Sequence, residues 1–137
     1  MSHHHTDDDC IFCKIVAGEI PCYKLAENDL FFAFLDIMPL VKGHVLIVPK
    51  KETDYLFDMN AEELSNILNF AKPIAKAIEK AIVCERVGVA VIGLEVPHAH
   101  VHLVPINTAD DLNFTRPKLK VDATEMEMIA STIRKFL

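Results

Sequence analysis

Pro97-His98-Ala99-His100-Val101-His102-Leu103-Val104-Pro105 is the stretch on which the reading of this chain turns. Imidazole and apolar side chains alternate through it, and a period of two marks a strand with two unlike faces. Ala99 to Val104 is therefore expected to be a strand. On it His98, His100 and His102 share one face, about 6.6 Å apart per two-residue step. Three imidazoles in register, with no other polar residue type among them, outweigh a merely solvated polar face as an explanation. A metal held by all three is disfavoured, because the outer two Cα atoms would lie about 13 Å apart while zinc holds each ring nitrogen at ~2.0–2.1 Å. Nucleophilic and acid–base chemistry fits better: neutral imidazole attacks, its conjugate acid donates a proton, and a partly protonated row draws an anion such as phosphate.

Outward from this strand, the same pattern rules place the other elements. Val87 to Ile92, Leu30 to Asp36 and Val45 to Val48 are short apolar runs bounded by turn residues, and Cys22 to Ala26 is a further candidate strand. Ile11 to Val16, closed by Gly18 and Pro21, predicts one or two turns of helix. Asn60 and Glu63 form a capping signal ahead of an apolar stripe through Leu64, Ile67, Leu68, Ala71, Ile74, Ala75, Ile78 and Ile82. Pro73 lies inside that stripe and is expected to kink or split the helix. Asp122 and Glu125 predict a last helix with a stripe of Met126, Ile129, Ile133 and Phe136. Strands without regular helical alternation predict an α+β architecture: an antiparallel sheet of about five strands, with one long helix and a C-terminal helix on one face.

The 137 residues, 51% hydrophobic, suit one domain with a real core, expected over 10–137. Residues 1–9, with His3, His4 and His5, are expected to be disordered or tag-derived. The polar, acidic start is not expected to serve as a secretory signal, and no apolar run reaches the ~18 residues of a membrane span. A net charge of −6 argues against nucleic-acid backbone binding. Cys10, Cys13, Cys22 and Cys84, without an export signal, point to a reducing, cytoplasmic setting. Cys10-x-x-Cys13 lacks the βαβ context of a redox pair. It offers half of a tetrahedral zinc site, the alternative being two buried reduced thiols.

His98-Ala99-His100-Val101-His102-Leu103-Val104 resembles the histidine triad motif, in which three histidines alternate with apolar residues. Cys10-Ile11-Phe12-Cys13, Gly18-Glu19-Ile20-Pro21, Ala33-Phe34-Leu35-Asp36-Ile37 and Lys42-Gly43-His44-Val45 follow the same family in the same order. From Cys10 to Pro105 the chain is similar to the histidine triad nucleotide-binding branch. The resemblance implies a hydrolase acting at the α-phosphate of purine nucleoside phosphoramidates or related nucleotidyl conjugates. His100 would be the nucleophile, forming a nucleotidyl-histidine, and His98 would orient it through a backbone or ring contact. His102 and His44 would hydrogen-bond phosphoryl oxygens or the leaving group. Asp36 would accept from the ribose hydroxyls, and Ile11, Phe12, Ile15, Phe34, Leu35 and Ile37 would form the base slot. No cofactor is needed for catalysis on this reading, and structural zinc would be held by Cys10, Cys13, His98 and Glu52. Partners implied are a purine nucleotide and a second copy of the chain, sheets joined, with the Asn60–Ile82 helix at the interface; nucleic acid and membrane are not. The alternatives are a dinucleoside polyphosphate hydrolase and a non-catalytic nucleotide-binding regulatory module. Departures from the family stand out: Leu94-Glu95 replaces a Gln-Ser/Thr pair, the asparagine-glycine loop just upstream is missing, and Glu52 replaces a zinc-ligating histidine. The Glu95 carboxylate is expected to raise the pKa of a triad histidine.

Overall fold

A computed structural model describes residues 10–137, so the expectation for residues 1–9 falls outside the described part. The elements run α1 (Ile11–Val16), β1 (Lys24–Glu27), β2 (Phe31–Leu35), β3 (Val45–Pro49), α2 (Ala61–Ala81), β4 (Arg86–Ala90), β5 (Val101–Ile106) and α3 (Ala123–Arg134). Short 3-10 turns at Leu56–Asp58 and Ala109–Leu112 complete them. The five strands form one antiparallel sheet in the order β1-β2-β3-β5-β4, the α+β architecture that the pattern predicts.

Register decides which side chains share a face. Phe32 opposes Val48, and Phe34 opposes Leu46, which in turn opposes His102. Phe31, Ala33 and Leu35, with Val45, Ile47, Val101 and Leu103, face the other way and join Ile67, Ile74, Ile78 and Ile133 of α2 and α3 in the main core. A smaller core on the opposite face joins Phe12 and Ile15 of α1 to Phe32, Phe34, Leu46 and Val48. The helices therefore do not all lie on one face. β2 and β3 are buried on both sides, which is why they read as unbroken apolar runs rather than as alternation.

Both predicted caps are present: the Asn60 side chain accepts from Glu63 N–H, and that of Asp122 from Glu125 N–H, each at 2.8 Å. α2 runs through Pro73 without splitting. Pro73 sits on the exposed side, as does Asn69, whose carbonyl loses its helical donor there and is left to water. Phe136 lies past the end of α3 and is exposed rather than part of its buried stripe.

The expected row of histidines on one strand needs a larger correction. β5 begins only at Val101, so His98 and His100 precede it, and only His102 is held by ladder pairing, opposite Leu46 and Ala90. Pro97 and the turn closed by His98 N–H on the Val96 carbonyl at 2.8 Å break the extended run. Pro105 is tolerated in β5 because the pairing with β3 ends at Leu103.

The β2–β3 connection positions His44, and it depends on Gly43. Gly43 has φ +94°, and an added Cβ would stand 3.0 Å from Ile82 Cδ1 and 3.4 Å from Pro105 Cγ. Gly18, at φ +82°, has nothing within 4 Å of such a Cβ. Gly43→Ala is therefore expected to lose about 2–4 kcal/mol in urea denaturation, backbone strain plus overpacking, and Gly18→Ala about 1 kcal/mol. Equal losses would remove the close approach as the cause.

Candidate active site

Three pieces of chain meet above the Leu46–His102 side of the sheet: the β2–β3 loop with Asp36 and His44, the approach to β5 with His98 and His100, and the 113–119 segment. Asp36 N–H donates to the His44 carbonyl at 3.0 Å, extending the β2–β3 ladder by one pair. The Asp36 carboxylate accepts Met38 N–H at 2.9 Å, and this short turn sets the shape of the loop.

The hydrogen-bond partners assign the tautomer of each ring. Leu40 N–H donates to His44 Nδ1 at 3.0 Å, so the proton of neutral His44 is on Nε2. That Nε2–H donates to His102 Nδ1 at 2.9 Å, which leaves the His102 proton on Nε2. His100 Nδ1 lies 2.8 Å from the His98 carbonyl; a carbonyl only accepts, so His100 carries its proton on Nδ1 and a lone pair on Nε2. Among the described residues, neither His100 Nε2 nor His102 Nε2 makes a hydrogen bond. One offers a lone pair and the other a proton, and their ring centroids are 4.8 Å apart.

His98 stands apart. It is fully buried, its Nε2–H donates to the Pro49 carbonyl at 2.8 Å, and its Nδ1 lies 3.0 Å from Cys10 Sγ and 3.5 Å from Cys13 Sγ. Its ring is thus held away from the open side, and what it presents to His100 is its backbone carbonyl.

Burial reverses the expected charge of the row. Removal from water pushes His44 down to about 3 and His102 down to about 4, with the neighbouring imidazoles and Lys118 adding to the effect. His100 is also lowered by burial, against an upward pull from its bond to His98 and from Glu95. Glu95 acts in the expected direction but does not prevail. At neutral pH the site therefore contains neutral imidazoles, not a partly protonated row. Burial pushes the Asp36 carboxyl up, and its Oδ2 lies 3.7 Å from His44 Nε2.

The apolar residues expected around a base divide. Phe12 sets its ring edge-on to Phe34, His98 and His100, at centroid distances of 5.8, 5.8 and 5.1 Å. Ile15 is buried beside it, whereas Ile11 and Ile37 are exposed. Leu35 must be removed from the set, because its place in the strand turns it into the helix-covered core. Cys10, Cys13 and His98 bring their donor atoms within 4.8 Å of one another, a set chemically suited to zinc. Glu52 is not one of the converging three, although its segment adjoins them through Ala99 N–H donating to the Thr53 carbonyl at 2.6 Å.

Sequence reading missed Phe114 and Lys118. The Phe114 ring stands 4.6 Å from that of His102 and 6.2 Å from that of His44, and Lys118 Nζ lies 6.0 Å from the Phe114 centroid. Neither residue belongs to a periodic element, and no local pattern marks them as neighbours of the triad.

Residues 17–109 match the HIT domain family model, and the chain belongs to that family. It is similar to the adenosine 5'-monophosphoramidase of Schizosaccharomyces pombe, 44% identical over 70% of this chain and 73% of that protein. Among solved structures, a Hit-like protein from Bartonella henselae superposes with TM-score 0.82 at 30% identity, covering 97% of this chain and 100% of that one. A zinc-bound histidine triad family protein from Mycobacterium smegmatis superposes with TM-score 0.81 at 28% identity, covering 96% and 94%.

The tautomers and charges are open to direct measurement. Long-range proton–nitrogen NMR should find Nδ1–H on His100 and Nε2–H on His44 and His102, with His44 and His102 neutral well below pH 6.5. Since the unfolded chain takes up those protons near pH 6.5, their contribution to stability is complete above that value and is lost as pH falls toward 4. Asp36, pushed up, works in the opposite direction. A triad imidazole charged at pH 7 would contradict this assignment.

Proposed function

We propose that the chain is a nucleotidyl hydrolase cleaving at the α-phosphate of purine nucleoside phosphoramidates or related conjugates. The observation that carries this reading is the bond from His100 Nδ1–H to the His98 carbonyl, which leaves a lone pair on Nε2 at neutral pH. In the first step that lone pair attacks phosphorus, forming a P–N bond to His100 as the bond to the leaving amine breaks. Water then attacks the nucleotidyl-histidine and restores the imidazole. His102 contributes its Nε2–H to a phosphoryl oxygen, and His44 holds it in that tautomer. A neutral His102 with this tautomer is a hydrogen-bond donor rather than a strong acid, so the leaving amine takes its proton from solvent. Charge stabilisation and positioning thus carry more of the reaction than proton transfer.

Asp36 is assigned to the ribose hydroxyls, and Ile11, Phe12, Ile15, Phe34 and Ile37 to the base. Exposed Ile11 and Ile37 support this as apolar surface with something left to cover. Structural zinc is assigned to Cys10, Cys13 and His98, with Glu52 completing the set after a local adjustment. The His98 Nε2–H bond to the Pro49 carbonyl supports it, since it leaves Nδ1 as a ligand. Bound there, the metal would pin α1 to the approach of β5 and take no part in the reaction. A homodimer joined at β4 is supported by the position of that strand at the sheet edge and by exposed Val89 on it and Val91, Ile92 and Leu94 just after it. Among the described residues no helix is long and apolar enough to cross a membrane. A cytoplasmic location remains part of the proposal.

Adenosine 5'-phosphoramidate is expected to be turned over by the wild type, and His100→Ala should lower kcat by at least about a thousandfold. Binding without turnover in the wild type would favour the regulatory-module reading. Metal analysis and sedimentation of protein with His3, His4 and His5 replaced by serine check the rest. One zinc per chain, lost in Cys10→Ser, and a dimer mass are expected; a metal-free monomer would remove both assignments.

A further inference from the structure

A nucleotide brings negative charge into a site whose imidazoles are neutral, in a chain of net charge −6. Donor N–H groups alone compensate that charge weakly. A cation that acts on the site is carried by the segment that sequence reading passed over. Lys118 is half-buried, with Nζ donating to the Phe114 carbonyl at 2.8 Å and to the Arg116 carbonyl at 3.4 Å. Two of its three N–H groups are thereby used, and one is left. Several other lysines also lack an ion-pair partner among the described residues, but Lys118 is the one whose charge acts on Asp36, His44 and His102. The segment is fixed at both sides of Lys118: the Phe114 ring lies against His102 and His44, and Leu119 N–H donates to the Pro39 carbonyl at 2.8 Å. Lys118 therefore stands beside the loop that carries Asp36 and His44, close enough for its charge to act on the Asp36 carboxylate but without a direct ion pair.

We propose that Lys118 is a substrate-binding residue that supplies the positive charge for the phosphate oxygens, held in place by the carbonyls of its own turn and by Phe114. This extends the nucleotidyl reading and rests on it for the identity of the anion. The Lys118 charge acts on Asp36, His44 and His102, and that of Glu95 on His100, so the positive charge bears on the phosphoryl donors. As negative charge builds on the equatorial oxygens during attack, a fixed ammonium gains more than the neutral rings do.

Lys118→Gln keeps donors for the carbonyls and removes the charge; Lys118→Arg keeps both. The full-length variants are compared with wild type by calorimetric titration with inorganic phosphate and with AMP over a salt series, and by turnover of adenosine 5'-phosphoramidate. Lys118→Gln is expected to weaken AMP and phosphate binding and to lower kcat/KM, each by about 10- to 100-fold, with a flatter salt dependence, and Lys118→Arg to restore most of it. Its acidic limb of kcat/KM should also move to higher pH, because the cation that disfavours protonated His102 is gone. Wild-type binding and turnover in a folded Lys118→Gln variant would overturn the proposal while leaving the hydrolase reading intact. Equal losses in both variants, with lowered melting temperatures, would overturn it in favour of a structural role. If the wild type binds AMP and phosphate but does not turn over substrate, and Lys118→Gln abolishes binding, the anion site stands and the hydrolase reading falls.

Discussion

His44, His100 and His102 are largely taken out of water in one small volume, and that burial is sustainable only while the rings are neutral and their inward-facing nitrogens are matched. The chain Leu40 N–H to His44 to His102 does the matching on one side, and the His98 carbonyl does it for His100 on the other. Everything else at the site follows from these bonds. They decide which nitrogen bears a lone pair, which bears a proton, and that neither needs to change its state before a ligand arrives.

The surrounding fold supplies backbone groups rather than side chains for most of this work. The β2–β3 loop is closed by Asp36 and His44, shaped by Gly43, and contributes the Leu40 N–H. The turn after Pro97 exposes the His98 carbonyl where β5 has not yet begun. Loops on a rigid sheet can aim such groups because the sheet, buried on both faces at β2 and β3, does not yield. His98 illustrates the division of labour. It belongs to the triad by spacing, yet its ring is committed to Cys10, Cys13 and Pro49, and it serves His100 through its backbone.

Much of the fold was legible in the chain. Both helix caps, the five strands to within a few residues and the antiparallel arrangement follow from local pattern. Pro73 did not split α2 because an exposed carbonyl can turn to water, a fact of tertiary placement. Leu35 failed as a ligand contact because one step along a strand reverses the face, and pattern does not say which face is which. Phe114 and Lys118 were invisible because they approach His102 from a segment with no periodicity of its own.

The sequence by itself determined the inventory: seven histidines, three of them before Cys10 and four within reach of one site, together with the glycine and the acid that flank His44. Spacing was enough to single out His98, His100 and His102, and the family resemblance added His44. Tertiary structure alone decided their charge and their tautomers. Those depend on how much water is excluded and on which backbone group stands opposite each nitrogen, and both are properties of chain segments far apart in sequence.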